Sequence, residues 1–129
     1  MKIEIHRKIN EIDNKEKLIE VQNELEDRFG KLDEDIIIYM YEEWFENFAA
    51  KLNISKVKQT KDLVEIILDK DTTSKINGEL LFLDVIKLSS NFKFKMFAGC
   101  LTISLNLKNL DKHFIYYLID LLYVIEKAI

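Results

Sequence analysis

The chain has 129 residues, of which 48% are hydrophobic and 33% charged, and this composition is typical of one globular domain rather than a disordered tail. The net charge of −4 argues against non-specific binding to nucleic acid or an anionic membrane, because both need an excess of Lys and Arg. The single cysteine, Cys100, excludes an internal disulfide and indicates a reducing compartment, so we expect a cytoplasmic protein.

Neither a signal peptide nor a membrane-spanning segment is expected. Lys2, Glu4 and Arg7 interrupt any apolar run at the start of the chain. The longest apolar stretch, residues 114–125, contains Asp120 and is 12 residues long, whereas a bilayer span needs about 20. We therefore expect no contact with a membrane.

Two helices are predicted first. The first is indicated by isoleucines at helical spacing, Ile5, Ile9 and Ile12. The second is expected from Lys15 to Phe29, because Asp13 followed by Glu16 has the form of a capping box. Its apolar stripe consists of Leu18, Val21, Leu25 and Phe29. Gly30 is expected to end this helix, since glycine readily adopts the left-handed conformation of a C-terminal cap.

A third helix and a first β-hairpin are predicted next. Asp33 is a suitable N-cap for the helix, and Asn53 tolerates the left-handed conformation that would end it. The wide apolar face of this helix consists of Ile37, Met40, Tyr41, Trp44, Phe45, Phe48 and Leu52. Strands are expected over Lys56–Thr60 and Leu63–Leu68, with a turn at Lys61-Asp62.

The segment Asp69–Lys75 is predicted to be a polar loop. Two aspartates and a threonine within it occupy the first ligand positions of a calcium-binding loop. The signature nevertheless fails, because Ser74 stands at the position of the invariant glycine and Leu80 at that of the bidentate glutamate. Asn77 is then predicted to cap a fourth helix, Gly78–Leu88.

The second hairpin is predicted together with its register. A two-residue loop at Ala98-Gly99 places six apolar side chains on one face of the hairpin. The expected pairs are Met96 with Leu101, Phe94 with Ile103, and Phe92 with Leu105. Lys93 and Lys95 lie on the opposite face, where contact with phosphate is one interpretation and a solvated strand face the favoured one.

The last helix is expected from Lys112 to Lys127, with Asp111 as its N-cap. Because it is apolar nearly all round, it is either buried in the core or forms a contact surface. The predicted order of elements is α-α-α-β-β-α-β-β-α. We therefore expect an α+β fold in a single domain, 1–129, with three helices, two units of a hairpin plus a helix, and small antiparallel strands packed on helices.

No group of catalytic or metal-binding residues is recognisable in the sequence. The three glycines form no phosphate-binding motif, so no nucleotide cofactor is expected. His6 and His113 have no neighbours at metal-ligand spacing, so no metal is expected. Cys100 is better explained as a small residue beside a turn than as a nucleophile, because no activating basic group is visible near it. We therefore expect no enzyme activity.

Arginine is rare in this chain. Of 19 basic residues only Arg7 and Arg28 are arginine. One interpretation is that these two positions need the planar guanidinium group. The more common explanation is that both make internal salt bridges, and the sequence favours this second interpretation only weakly.

The second helix carries its carboxylates on one side. At about 100° per residue, the acidic residues that cluster away from the apolar stripe are Glu16, Glu20, Glu24 and Asp27. Like charges three or four residues apart destabilise a helix by roughly 0.2–0.5 kcal/mol per pair, and Lys17 and Arg28 offset this only in part. From this pattern alone, a solvated face is favoured over a binding surface for a basic protein partner.

Residues 24–30 read Glu-Leu-Glu-Asp-Arg-Phe-Gly and are followed by Leu32. They resemble the E-L-x-D-R-F-G-x-L motif of the C-terminal domain of bacterial transcription-repair coupling factors. Arg7-Lys8-Ile9 resembles the family's opening R-R/K-I helix, and residues 51–54 resemble its K-L-G-I helix end. The order of hairpins and helices is also similar, so the resemblance extends over nearly the whole chain. The chain differs from the family at Asp33, where proline is usual, and in its shorter second hairpin loop.

The resemblance implies a fragment of a larger protein. Family members are ATP-driven DNA translocases that remove stalled RNA polymerase and recruit nucleotide excision repair. Their motor, polymerase-binding and repair-recruiting modules have no counterpart here, so ATP, magnesium, DNA and RNA polymerase are implied only for those modules. In the family, the last domain packs on the N-terminal module of the same protein. It masks the surface of that module for the damage-recognition ATPase and so represses the protein.

The same resemblance implies which side chains make this contact. The glutamate and aspartate of the motif contact arginines of the N-terminal module, and they correspond to Glu24 and Asp27. Glu20, one helical turn earlier, is added from the helix geometry. The structural residues of the matched segments are Arg28, Phe29, Gly30 and Arg7. We therefore expect a non-catalytic, autoinhibitory interaction domain that is monomeric in isolation.

Two other functions remain as alternatives. The chain could be a homo-oligomerisation or general protein-binding module that uses the apolar last helix around Tyr117, Leu121 and Tyr123. A small enzyme is the third possibility, and it is disfavoured because no nucleophile, base and orienting group fall together in the sequence.

Overall fold

The computed structural model describes residues 3–129, except for the side chains of residues 3, 4 and 55. Outside the described part lie Met1, Lys2 and the side chain of Glu4. Lys2 and Glu4 are two of the residues from which no signal peptide was expected. The described chain contains six helices and four strands: α1 (Ile3–Asn10), α2 (Lys15–Phe29), α3 (Glu34–Lys51), β1 (Ile54–Gln59), β2 (Leu63–Leu68), α4 (Lys70–Lys75), α5 (Gly78–Leu88), β3 (Phe92–Phe97), β4 (Cys100–Asn106) and α6 (Phe114–Ala128). The predicted α+β class is confirmed, with α4 as an additional short helix.

Elements with strong local signals have the predicted bounds, as α2, β2 and α5 show. Asn77 caps α5 as predicted, since its Oδ1 accepts a hydrogen bond from the backbone N–H of Leu80 at 3.2 Å. Asn53 has φ of 58° and confirms the left-handed residue expected after α3. Strand β1 begins at Ile54 rather than Lys56, with a register irregularity between these two residues.

The predicted N-cap of α2 was wrong by one residue. Asn14, not Asp13, has the extended backbone of a cap, and its Oδ1 accepts from the backbone N–H of Lys17 at 2.7 Å. The third helical position is therefore occupied by Lys17 rather than by a carboxylate. Because a capping box needs Glu or Gln at that position, the box predicted from Asp13 and Glu16 does not form.

The predicted polar loop at residues 69–75 is wrong, because most of it forms helix α4. The carboxylate of Asp69 accepts from the backbone N–H of Thr72 at 2.7 Å and so caps the helix. This bond holds the pKa of Asp69 below its ordinary value, because it favours the ionised carboxylate. The Oγ1 atom of Thr73 accepts a hydrogen bond from the backbone N–H of Leu101 at 3.0 Å. This bond fixes α4 against β4.

Helix α6 begins two residues later than predicted. His113 is its N-cap, since the Nδ1 atom accepts from the backbone N–H of Ile115 at 3.1 Å. Asp111, predicted as the cap, instead accepts a hydrogen bond from the hydroxyl of Tyr117, and this bond lowers the pKa of Asp111. Most of the apolar surface of α6 is buried, as the core interpretation predicted. Among residues 3–129, no helix combines the length and apolar character that crossing a bilayer requires.

The contacts of the chain divide it into two compact units, Met1–Ala49 and Ala50–Ile129. In the first unit, Asn47 of α3 holds the connection between α1 and α2. Its Nδ2 donates to the carbonyls of Asn10 and Ile12 at 3.0 and 2.7 Å. The large buried apolar residues of this unit are Ile9, Ile12, Leu18, Val21, Leu25, Leu32, Met40, Trp44, Phe45 and Phe48. That the whole chain is one domain stays a prediction.

The second unit contains a four-stranded antiparallel sheet with strand order β1-β2-β4-β3. The predicted register of the second hairpin is confirmed in each of its three pairs, which are Met96 with Leu101, Phe94 with Ile103, and Phe92 with Leu105. Ala98 and Gly99 both have positive φ, at 54° and 79°, as a tight two-residue hairpin turn requires. Helices α5 and α6 pack against one another in this unit.

Candidate interaction face on helix α2

Helix α2 divides into a buried side and an acidic side. Leu18, Val21 and Leu25 are only 1–2% exposed, so they fix which side of the helix faces the interior. The remaining side carries the acidic face, which we define as Glu16, Glu20, Glu24 and Asp27. Because the helix is anchored by its apolar stripe and capped at both ends, these carboxylates project from a well-defined backbone.

Glu24 is the only member of the acidic face that makes a direct hydrogen bond to another helix among the described residues. Its carboxylate accepts a charge-assisted bond from the ammonium group of Lys8 in α1, and both side chains are partly exposed. This hydrogen bond holds the pKa of Glu24 below its ordinary value, and the positive charges of Arg28 and Lys17 act in the same direction. Glu24 is thus kept ionised and oriented, with acceptor positions still open to a partner.

Asp27 and Glu20 are more accessible than Glu24. Asp27 is exposed, and none of the described residues forms an ion pair with it. Glu20 lies 3.9 Å from Lys17 Nζ, in a contact that is long and largely exposed to solvent. Such exposed pairs contribute little to stability, so Lys17 would not prevent Glu20 from binding another cation. The structure therefore places Glu20, Glu24 and Asp27 along one accessible ridge.

The two arginines are both exposed. Within the described part of the chain, neither Arg7 nor Arg28 forms an ion pair, so the internal salt bridges favoured from the sequence are not found there. Arg28 lies in the last turn of α2, where a cation interacts favourably with the helix dipole. The other interpretation, in which these two positions need the planar guanidinium group, stays a prediction.

Phe29 is not a core residue, although its position on the apolar stripe predicted one. Its side chain is 54% exposed, because it occupies the last position of α2. It lines an apolar groove of about 360 Å³ together with Ile5, Leu25, Leu32 and Ile36. Sequence periodicity could not distinguish a groove wall from a core position, since both require the same side of the helix.

Gly30 ends α2 as predicted. Its φ of 78° and ψ of −165° belong to a region that only glycine adopts readily, and its N–H donates to the carbonyl of Glu26 at 2.8 Å. The change in chain direction at this residue begins the connection that carries Leu32 into the wall of the groove. Gly30 thus lies between the end of the acidic face and the residues that line the apolar groove.

The other candidate surface, on α6, is largely covered. Tyr117 and Leu121 are 9% and 1% exposed, whereas Tyr123 is 41% exposed. An interface built on all three side chains would require α6 to leave its buried position.

Among the described residues, no group of three or more His, Cys, Asp or Glu side chains is arranged to hold a metal ion.

Comparison with known proteins agrees with the motif in α2. A family model described as the TRCF domain matches residues 1–79, which is more than half of the chain. The chain also resembles the crystal structure of the C-terminal domain of transcription-repair coupling factor, with a TM-score of 0.85 and 21% identity. That match covers 98% of this chain and 80% of the other, and at this identity it shows the fold alone. No curated protein matches the chain. By its match over residues 1–79, the chain belongs to the TRCF domain family.

Proposed function

We propose that this domain is a non-catalytic regulatory module of a transcription-repair coupling factor. It packs through the acidic face of α2 on the N-terminal, repair-recruiting module of the same parent protein. In this position it masks the surface that would bind the damage-recognition protein of excision repair. The observation that carries the proposal is the exposed Asp27 beside an oriented, ionised Glu24, within the region matched by the family model.

The chemistry of the face suits arginine as the partner group. A carboxylate with open acceptor positions can form paired, charge-assisted hydrogen bonds with a guanidinium group. Lys8 already restricts the side chain of Glu24, so less conformational entropy is lost when a partner binds. Asp27 contributes an exposed charge three residues away, on the next turn of the same face.

The apolar groove lined by Phe29 also supports binding through this side of α2. Phe29 presents exposed apolar surface at the end of α2, next to the carboxylates in sequence. Protein interfaces commonly combine an apolar centre with a polar rim. An interface of this mixed kind is moderately polar and can open, which suits a contact that must be released when repair begins.

The test is a calorimetric titration of this domain with the isolated N-terminal module of its parent protein. The double variant Glu24→Gln with Asp27→Asn keeps the size of both side chains and removes both charges. Because hydrogen bonds to charged groups contribute about 1.5–3 kcal/mol each, we expect the affinity to fall at least tenfold. The loss should be larger at low ionic strength, where charge interactions are less screened.

Glu126→Gln provides a control, because Glu126 is an exposed carboxylate of α6 and its replacement removes one negative charge at a distance from α2 in sequence. We expect this variant to bind as the wild-type chain does. If the double variant also retains wild-type affinity while its circular dichroism is unchanged, the acidic face is not the binding surface.

A further inference from the structure

The second unit exposes an apolar surface that the proposed function does not use. Phe82, Leu83 and Ile86 of α5 are 51%, 47% and 45% exposed, and Met96 of β3 is 60% exposed. The ring centroids of Phe82 and Phe94 lie 5.4 Å apart, so the exposed side of α5 contacts β3 through these two side chains. Large exposed apolar patches on a small protein commonly mark interaction sites.

Strand β3 is also an edge of the sheet, with β4 on one side only. The backbone N–H of Asn106 donates to the carbonyl of Asn91 at 3.1 Å, which places residue 91 among those that bond toward β4. In an antiparallel ladder such residues alternate with residues whose polar groups point outward. The N–H and C=O groups of Phe94 and Met96 therefore point away from the sheet, available to a further strand.

The opposite edge of the sheet differs in two respects. Strand β1 carries a register irregularity between Ile54 and Lys56, and such bulges protect an edge from further pairing. Its single large exposed apolar side chain among the described residues is Val57. Strand β3 has an uninterrupted register over Phe92–Phe97 and the apolar side of α5 next to it.

We propose that β3 binds an extended peptide segment of a partner protein, in which apolar and acidic residues alternate. Added beside β3, the apolar side chains of this segment would cover Phe94, Met96 and the exposed side of α5. Its acidic side chains would lie on the other face of the sheet, opposite Lys93 and Lys95. Both lysines are exposed, and the 3.8 Å contact of Lys95 with Glu65 is weak enough to exchange.

Charge complementarity favours this occupant over a second copy of the chain. Two β3 strands pairing antiparallel around Phe94 would place Lys93 of each copy opposite Lys95 of the other. Like charges directly opposite one another destabilise strand pairing. The lysines therefore discourage self-association while they attract an acidic strand. These residues lie beyond the residues 1–79 matched by the family model, and the inference is independent of the acidic face of α2.

The probe is a short synthetic peptide that alternates Val and Glu, titrated into the whole chain and followed by NMR. We expect saturable shifts of the amides of β3 and of α5. A matching peptide that alternates Val and Lys should bind at least roughly tenfold more weakly, because each acidic cross-strand contact becomes repulsive. A Val-Glu peptide that is N-methylated at every residue should not bind, because it has no backbone N–H left to donate to β3.

Variants of the chain locate the site. Met96→Pro removes an outward N–H and leaves the bonds to β4 in place, whereas Met96→Val keeps that N–H. We expect peptide affinity to be lost in the first and kept in the second. Lys93→Gln with Lys95→Gln should weaken binding roughly tenfold and abolish its salt dependence. The matched control on the other edge is Lys56→Gln with Lys58→Gln, which should leave binding unchanged.

Three results would overturn the inference. The first is equal affinity for the acidic and basic peptides, and the second is loss of binding in the β1 variant rather than the β3 variant. The third is a concentration-dependent dimer of the chain that Met96→Pro dissociates, with no binding of the Val-Glu peptide. That outcome would assign the edge to a second copy. Thermal unfolding of each variant excludes misfolding as the cause.

Discussion

Glu24 is held by Lys8, while the carboxylates on either side of it are not tied to another helix among the described residues. The helical periodicity predicted that Glu24 lies on the acidic face, and the structure places it there. The pairing with Lys8 could not be predicted from periodicity, because the two residues lie on different helices. Their approach depends on how α1 packs beside α2, which is a property of the tertiary structure.

The Lys8–Glu24 pair predicts a specific dependence of stability on pH. The pKa of Glu24 is lowered in the folded chain, so the unfolded chain takes up the proton first as the pH falls. The stabilisation is therefore complete above the ordinary pKa of 4.5 and is lost as the pH falls through the folded value. We expect Lys8→Met to lose less stability than the wild-type chain between about pH 6 and about pH 3.

The measurement is urea denaturation at several pH values, followed by far-ultraviolet circular dichroism. Lys31→Met removes the same charge from an exposed position and serves as the control. Its pH dependence should follow that of the wild-type chain. Parallel curves for Lys8→Met and the wild-type chain would mean that the pair contributes nothing to stability.

At the scale of elements, the end of α2 depends on the backbone of Gly30. Its φ and ψ lie in a region that is strained for any residue with a Cβ atom, although a Cβ atom added there would meet no side chain or other backbone within 4 Å beyond the adjacent residues. Such strained conformations cost about 1–3 kcal/mol, so we expect Gly30→Ala to lower the free energy of unfolding by about that amount. The urea midpoint measures this change directly.

Gly78 is the matched control for this substitution. It is the first residue of α5, it has no left-handed φ, and a Cβ atom added there would lie in open space. Gly78→Ala should leave stability unchanged or raise it by about 0.4–1 kcal/mol, because alanine restricts the unfolded chain. Equal loss of stability in the two variants would show that backbone strain at Gly30 is not what ends α2.

The elements that the sequence predicted well are those with dense local signals. Helix α5 has an Asn cap and an apolar pattern, and the hairpin of β3 and β4 has strict alternation around a two-residue turn. Helix α4 was missed because its six residues are polar and carry no hydrophobic period. Its main determinant is the side chain of Asp69, which in sequence resembles an ordinary loop aspartate.

At the scale of the whole chain, residues 1–79 and the residues after them are related to known proteins in different ways. The family model matches residues 1–79, whereas the structural likeness covers 98% of the chain. The fold of the later residues is thus shared with a solved C-terminal domain of transcription-repair coupling factor, in a match that is 21% identical over its whole length. The surface of those residues, including α5 and β3, is the part of the molecule that the sequence motif does not describe.

The positions of the candidate residues on α2 were predictable from the sequence, but the side chains that surround them were not. The motif gave Glu24, Asp27 and Gly30 by position, and all three lie at the accessible side or end of α2. The groove wall formed by Phe29 was not predictable, because it requires side chains from three separate segments. Likewise, the burial of Tyr117 and Leu121 decides between the two interpretations of α6 only once the fold is known.

The central claim is that the carboxylates of α2 bind arginines of the parent protein's N-terminal module. A charge-reversal experiment tests it most directly, with affinity measured by calorimetry. Asp27→Arg should abolish binding to the wild-type module, and one arginine-to-aspartate variant of that module should bind Asp27→Arg better than it binds the wild-type chain. The claim would be contradicted if Asp27→Arg bound the module with wild-type affinity. It would also be contradicted if no arginine-to-aspartate variant of the module restored binding to Asp27→Arg.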